Sequence, residues 1–356
     1  MSNPIKNYYQ GIFLTETIMG NPNGDFLDNI PRNFDGHVFT TDKCIKYNVR
    51  KYMHDKVEKI EKTTDDDGNE IRTIENFIFF FPRLDDDANL GDSKFKTRAD
   101  VFKYFDGECD FDKLLNNSPD IRMFGGTFSF KKSDKTVSGN SIPTHQIYGP
   151  IQLSYGLDIN EAIITRLQIG SPFADGNSGS QTTIGSESVV DDAIISYDIT
   201  INPNNHPNLL LEDDLSLFKE SLWYGTNLRK STSKKTDSKL LLLIKFRNLN
   251  DSNCGKVTSI NMGELKNLIK IKNKEEHKLK GNIIELDCED LSKKLEKYKE
   301  FIEEIEIYYD TCDLKIINFE ENHFNIFDCT EEEINSNEND KIPVKKCEPQ
   351  SLLKVN

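Results

Sequence analysis

From Gly20 to Gly36 the chain reads GNPNGDFLDNIPRNFDG, with three glycines, two prolines and four asparagines in seventeen residues. That composition forbids regular structure, because proline removes a backbone donor and glycine and asparagine favour turns. The segment is therefore a shaped loop, and it separates two regular elements. Residues 8–18 alternate as a strand does. Residues 41–60 place Ile45, Val49, Tyr52, Met53, Val57 and Ile60 at helical spacing, with Thr41 or Asp42 suited to the N-cap. Lys43, Lys46 and Arg50 project together from the other side of that helix. They are either a solvated face or a row of cations for phosphates that the amides of Asn21, Asn23 and Gly24 also approach.

Further along, residues 62–72 read as an acidic turn and 76–82 as a buried strand ended by Pro82. Short helices are expected near 93–105 and 111–117, and 120–130 as a turn into a strand. Residues 149–159 and 161–169 look like paired strands, and the Gly- and Ser-rich segment 170–188 like a flexible protrusion. A strand over 187–203, a helix over 211–229 and an apolar strand at LLLLIKFR follow. A last amphipathic helix, 289–305, carries Leu291, Leu295, Tyr298, Ile302 and Ile305. This order makes an α+β fold, compatible with an RRM-like (ferredoxin-like) antiparallel sheet with helices on one face and long insertions.

The net charge of −15 argues at first against a nucleic-acid partner. Its distribution changes that argument. Residues 282–340 hold 19 Asp and Glu against five Lys, so the rest of the chain is close to neutral and free to carry basic surfaces. One such stretch runs from Arg229 to Arg247, with seven Lys or Arg (Lys234 among them) against one acid, Asp237, and with hydroxyls at Ser231, Thr232 and Ser233. Basic plus hydroxyl suits sugar–phosphate contact, and a flexible basic loop reads the same way. In the run Arg122-Met123-Phe124-Gly125-Gly126, the two glycines would let a nucleic-acid backbone come close.

Enzyme signatures are absent from the sequence: no P-loop, no G-x-S-x-G, no H-E-x-x-H, and Gly68 misplaced for a calcium loop in DDDGNE. His37 and His145 are isolated. The seven cysteines are scattered and read as reduced thiols, so no metal, cofactor or catalytic residue is expected. With no apolar run near 18 residues and no signal-like N-terminus, a cytoplasmic location and no membrane partner are expected.

The combination resembles a known family. Asn21-Pro22-Asn23-Gly24-Asp25, Asn29-Ile30-Pro31-Arg32, Gly36, Thr41-Asp42 and the Lys46/Arg50 helix resemble, in order, the N-terminal signature of the Cas-seven family, backbone subunit of CRISPR Cascade complexes. Asp120-Ile121-Arg122-Met123-Phe124-Gly125 is similar to its D-[IV]-R-x-F-G, Gly149-Pro150-Ile151-Gln152 to its G-P-[VI]-Q, and Leu222-Trp223-Tyr224-Gly225-Thr226 to its L-W-x-G-T, followed by Ser233-Lys234. The pattern is nearest the type I-B, Csh-like branch. The resemblance implies an RRM-like palm over 1–250, with fingers inserted at about 60–118 and a thumb at about 166–188. An acidic α/β extension (251–330) and an unstructured tail (331–356) would follow.

It further implies that copies polymerise along a guide RNA (crRNA), that each thumb displaces a base, and that the splayed bases pair with target DNA. Partners would be crRNA, target DNA, further copies of the chain, and the large, Cas-five and Cas-six subunits. The RNA-binding residues would be Asn21, Asn23, Gly24, Lys43, Lys46, Arg50, Arg122, Gly125, Gly126, Gln152, Arg166, Arg229, Ser233 and Lys234. Where relatives carry a basic T-M-G-R-K stretch, this chain has Thr183-Ile184-Gly185-Ser186-Glu187. Two other readings stand beside this one. One is a metal-dependent endoribonuclease backbone subunit, as in type III complexes, using Asp25, Asp28 or Asp35. The other is a protein-binding scaffold acting through the acidic C-terminal region.

Overall fold

The first strand, β1 (Tyr9–Gly20), is buried along most of its length and hydrogen-bonded on both edges. The structure is a computed structural model that describes residues 2–64, 70–83, 96–106, 110–128, 136–137, 140–141, 145–171, 183–248, 260–319, 324–328 and 341–353. After β1, the loop runs into a small hairpin, β2 (Asn33–Phe34) and β3 (His37–Thr40), and then α1 (Asp42–Lys56).

An inserted lobe follows. It holds the hairpin β4 (Lys59–Thr64) and β5 (Glu70–Glu75), helices α2 (Arg98–Phe105), α3 (Phe111–Asn117) and α4 (Pro119–Phe124), and small strands β6 (Gly125–Phe128), β7 (Thr136–Val137), β8 (Asn140–Ser141) and β9 (His145–Tyr148). Its core is aromatic: Phe77, Phe79, Phe102, Phe105 and Phe128 pack together. The chain returns through β10 (Ile151–Leu153), β11 (Gly156–Asp158) and β12 (Ile164–Ser171) to the long β13 (Thr183–Ile201), then α5 (Glu212–Leu228) and β14 (Thr236–Phe246). The C-terminal part supplies β15 (Lys270–Ile271), α6 (Lys274–His277), β16 (Ile284–Asp287), α7 (Glu289–Lys297), β17 (Ile302–Tyr308), β18 (Leu314–Ile317), β19 (Phe324–Asp328) and β20 (Ile342–Cys347).

The main sheet runs β19-β20-β17-β14-β1-β13-β11-β3-β2, with β10 and β12 also paired to β13. Alternation along its central strands divides the core in two. Phe13, Tyr197, Leu241 and Leu243 point to one face and pack against Ile45 and Val49 of α1 and Phe218 and Leu222 of α5. Ile12, Leu14, Leu240, Leu242 and Ile244 point to the other and are covered by Ile284, Leu286, Leu291 and Leu295. Both faces of the central strands are therefore covered, and the open sheet on which sheet-based RNA readers stack bases is not available here.

Several sequence expectations are corrected. Phe77, Ile78 and Phe79 are buried, but 76–82 forms no strand. The amides of Phe79 and Phe80 donate instead to the carboxylate of Asp120 (3.1 and 3.0 Å), and that of Ile78 to Glu58 (2.8 Å). Residues 119–124 form a helix rather than a turn. The segments 149–159 and 161–169 do not pair with each other; β10, β11 and β12 each pair with β13. Asp158 turns the chain between them by accepting the amides of Asn160 and Ala162 (3.0 and 2.6 Å).

The helix expected over 289–305 stops at Lys297. Ile302 and Ile305 belong to β17, which extends the main sheet beside β14. The C-terminal part therefore continues the central sheet as well as covering one face of it. Residues 342–347, expected within an unstructured tail, form β20 with Val344 fully buried. Cys44, Cys288 and Cys312 are free thiols, whereas Cys347 is disulfide-bonded. Of the expected protrusion 170–188, residues 172–182 lie outside the described residues, as do 65–69 of the acidic turn. What is described of the protrusion's base is the antiparallel pair β12–β13.

Candidate nucleic-acid interface

The loop after β1 is tied at its foot to a turn 213 residues away in sequence. The Asn21 amide donates to the Ser233 carbonyl (2.7 Å), and the Asn21 carbonyl accepts from the Lys234 ammonium (2.8 Å). Gly20 allows this approach, since a Cβ there would sit 2.8 Å from the Ser233 oxygen. Burial draws the Lys234 ammonium below the usual lysine range, and the neighbouring Arg229 acts in the same direction. A further anionic group beside these cations would therefore be stabilised.

The same foot reaches α1. Asn23 Nδ2 donates to Thr41 Oγ1 (3.1 Å), at the helix N-cap. Thr41 makes no side-chain cap bond, so this N-terminus keeps amide donors of the kind that suit an anion. From the end of α5, Arg229 lies along the flank of α1. Its guanidinium is 4.6 Å from the Tyr47 ring centre and donates to Asn48 Oδ1 (2.8 Å), with Cys44 Sγ at 3.7 Å. Lys43 is exposed on α1 and has no carboxylate partner among the described residues; Lys235 is exposed on the turn.

The other two cations of α1 form a second group. Lys46 pairs with Asp42 (3.1 Å) and lies over the Phe124 ring. Arg50 pairs with the wholly buried Asp120 (3.2 Å) while stacking near Phe124 and Phe80, at 5.2 and 5.5 Å. Gly126 packs its bare Cα on Phe80, where a Cβ would come within 2.3 Å of the ring. Gly125 has φ +63° and lies against the Ile147 carbonyl. Internal packing thus accounts for both glycines.

A model of the family described as CRISPR-associated protein Cas7 matches residues 7–295. The chain belongs to the Cas7 family. The Cas7 match runs from just before β1 to within α7, and so takes in the loop, α1, α5 and the Arg229–Lys234 turn. No curated protein matches the sequence. Among solved structures, a chain of a CRISPR RNA-guided surveillance complex is 10% identical, with 87% of this chain and 94% of that chain covered and a TM-score of 0.44. A chain of such a complex in a pre-nicking state is 9% identical, with 87% and 96% covered and a TM-score of 0.45.

In this Cas7-family chain the structure gathers Asn21, Asn23, Gly24, Lys43, Arg229, Ser233 and Lys234 around the loop foot, with Lys46 and Arg50 farther along α1. Three other residues named from sequence share no described contact with this group. Arg122 is fully engaged inside the protein: Nε and Nη2 form a two-pronged pair with Asp214 (2.8 Å each), and Nη1 donates to the carbonyls of Leu115 (3.0 Å) and Asn116 (2.7 Å). Gln152 is exposed and donates to the Gly149 carbonyl (2.8 Å). Arg166 is exposed on β12 and donates to Ser186 (2.8 Å). Sequence reasoning missed Tyr47, Asn48 and Cys44; their signal was position, one helical step from the basic row.

Of the acids considered for metal-dependent cleavage, Asp25 is held by its own loop. Its carboxylate accepts the amides of Leu27 (3.0 Å) and Asp28 (2.8 Å), and the Asp28 amide holds it below the usual carboxylate range. Asp28 and Asp35 are exposed. Among the described residues, metal-type ligands come together at Glu16, Asp192 and His277, all buried. There the His277 Nδ1–H donates to the Asn282 carbonyl and Nε2 lies 2.5 Å from Glu16.

Proposed function

We propose that this chain is a guide-RNA-binding backbone subunit of a Cascade-type CRISPR complex, of the type I-B, Csh-like branch, that performs no cleavage itself. Copies of it line up along the crRNA, each gripping sugar and phosphate and leaving the bases free to pair with target DNA. The remaining Cascade subunits, namely the large, Cas-five and Cas-six subunits, complete the particle in the cytoplasm. In this reading β14-β1-β13-β11, with α1 and α5 on one face, is an RRM-like palm. The lobe after α1 supplies the fingers, and the β12–β13 pair is the base of the thumb.

One observation carries the reading: the loop foot, the N-terminus of α1 and the Arg229–Lys234 turn converge. Backbone amides, the uncapped helix start and the cations Lys43, Arg229, Lys234 and Lys235 then face one strip of surface. That is equipment for phosphates. The −15 net charge sits mainly elsewhere, on the C-terminal part.

The test is the salt dependence of single-stranded RNA binding by the full chain. Log affinity should fall with log salt by about 0.7 per neutralised phosphate. Changing Lys43 and Lys235 together to Ala should flatten that slope by about 1.4 without changing the melting temperature, since both side chains are exposed. An unchanged slope would remove this strip from the interface.

A further inference from the structure

We infer that the tip of the loop, Phe26 with Leu27, stacks on an unpaired base of the same RNA strand whose phosphates lie at the loop foot. This rests on the RNA-binding reading above and adds a contact to it. Phe26 is 98% exposed and Leu27 93%, more than any other large apolar side chain among the described residues. Two such side chains side by side on a polar loop call for a partner.

The loop holds them out rigidly. Gly24 and Pro31 form a β-bridge, the Asp25 amide donates to the Ile30 carbonyl (2.9 Å), and Asn21 Nδ2 donates to the Asn29 carbonyl (2.6 Å). The Asp25 carboxylate fixes the amides of Leu27 and Asp28. Little conformational freedom is left to lose on binding. The Arg32 guanidinium lies 5.3 Å from the Phe26 ring centre, backing one side of the ring. Nearly full exposure leaves the rest of the ring open.

Charge decides which part of a nucleic acid this tip meets. The foot carries Lys43, Arg229 and Lys234, whereas the tip carries Asp25 and Asp28 against Arg32, with Asp35 beyond it, and so is acidic on balance. Carboxylates repel phosphate, but the face of a base carries no net charge. The strand is therefore oriented with its backbone at the foot and a base over the tip. Stacking accepts every base, so the contact is independent of sequence.

The full chain would be titrated with single-stranded RNA containing 2-aminopurine, and with an oligonucleotide of equal length whose bases are replaced by abasic ribose. Changing Phe26 and Leu27 together to Ala should weaken binding to the base-bearing strand by about tenfold and relieve the quenching of 2-aminopurine. It should leave binding to the abasic strand and the salt slope unchanged, and Phe26→Trp should bind like the parent.

Equal affinity of parent and double variant for the base-bearing strand would overturn the inference alone, as would equal losses on both strands. Unchanged RNA affinity with smaller assemblies in sedimentation would place the tip against protein instead, and also overturn it. Failure of the parent to bind either strand would overturn the RNA-binding reading, and this inference with it.

Discussion

Changing Arg122 to Met should cost roughly 3–5 kcal/mol of stability, because it leaves a buried carboxylate without its counter-ion. Both side chains of the Arg122–Asp214 pair are almost out of water, at 11% and 3% exposure. Asp214 is also a structural hub, since its carboxylate accepts the Leu211 amide at the start of α5 (3.0 Å). The substitution would therefore loosen the N-terminus of α5 and its packing on α4. Denaturant unfolding of Arg122→Met checks the magnitude, and pairing it with Asp214→Leu should restore part of the loss. The salt slope of RNA binding, measured while the variant is folded, should match the parent. A slope reduced by about 0.7 would place Arg122 on a phosphate instead.

A comparable loss, again roughly 3–5 kcal/mol, is expected for His277→Ala near pH 6, since it leaves Glu16 and Asp192 facing each other in the core. This cluster clamps α6 to β1 and β13. Glu16 has a second partner in Lys239 (3.2 Å), which also reaches Asp313 (2.9 Å). The hydrogen bond to Glu16 raises the His277 pKa above its ordinary 6.5 despite burial. Burial would raise Glu16, but His277 and Lys239 together hold it below its ordinary 4.5. Burial, and then the charge of Glu16, push Asp192 up.

The signs follow from linkage. A raised histidine contributes fully below pH 6.5 and loses its contribution as pH rises through its folded value. A lowered Glu16 contributes fully above pH 4.5 and loses that contribution as pH falls through its folded value. Asp192, being raised, costs stability once ionised. The advantage of the parent over His277→Ala should thus be largest between about pH 4.5 and 6.5 and shrink above that window. A difference that stays flat up to pH 9 would show that the imidazolium is not what holds the clamp.

Elements whose pattern lies within one stretch of chain were legible in the sequence. α1 was read to within a few residues because its apolar side chains repeat at 3.6, and β1 because its strand-like run is contiguous and is ended by the Gly- and Pro-rich loop, although both its faces are covered. The elements misread are those whose partners are distant. NFIFFFP has the composition of a buried strand, but its amides are taken by Asp120, some 40 residues on. The stripe Leu291–Leu295–Tyr298 continues numerically to Ile302 and Ile305, so nothing local announces that the chain straightens at 302 to join β14. The candidate site shows the same division. The basic row on α1 and the loop were visible as residue types. Arg122 belonged to a recognisable motif, yet its acid lies 92 residues away, and only the fold shows that its hydrogen bonds point inward.

The most direct test of the account is what the protein carries when isolated from its own cells with its companions. The account predicts RNA rather than DNA, in discrete lengths, released by raising the salt, with the absorbance at 260 nm falling as it leaves. A preparation free of nucleic acid, whose chain also fails to take up single-stranded RNA at low ionic strength, would contradict it.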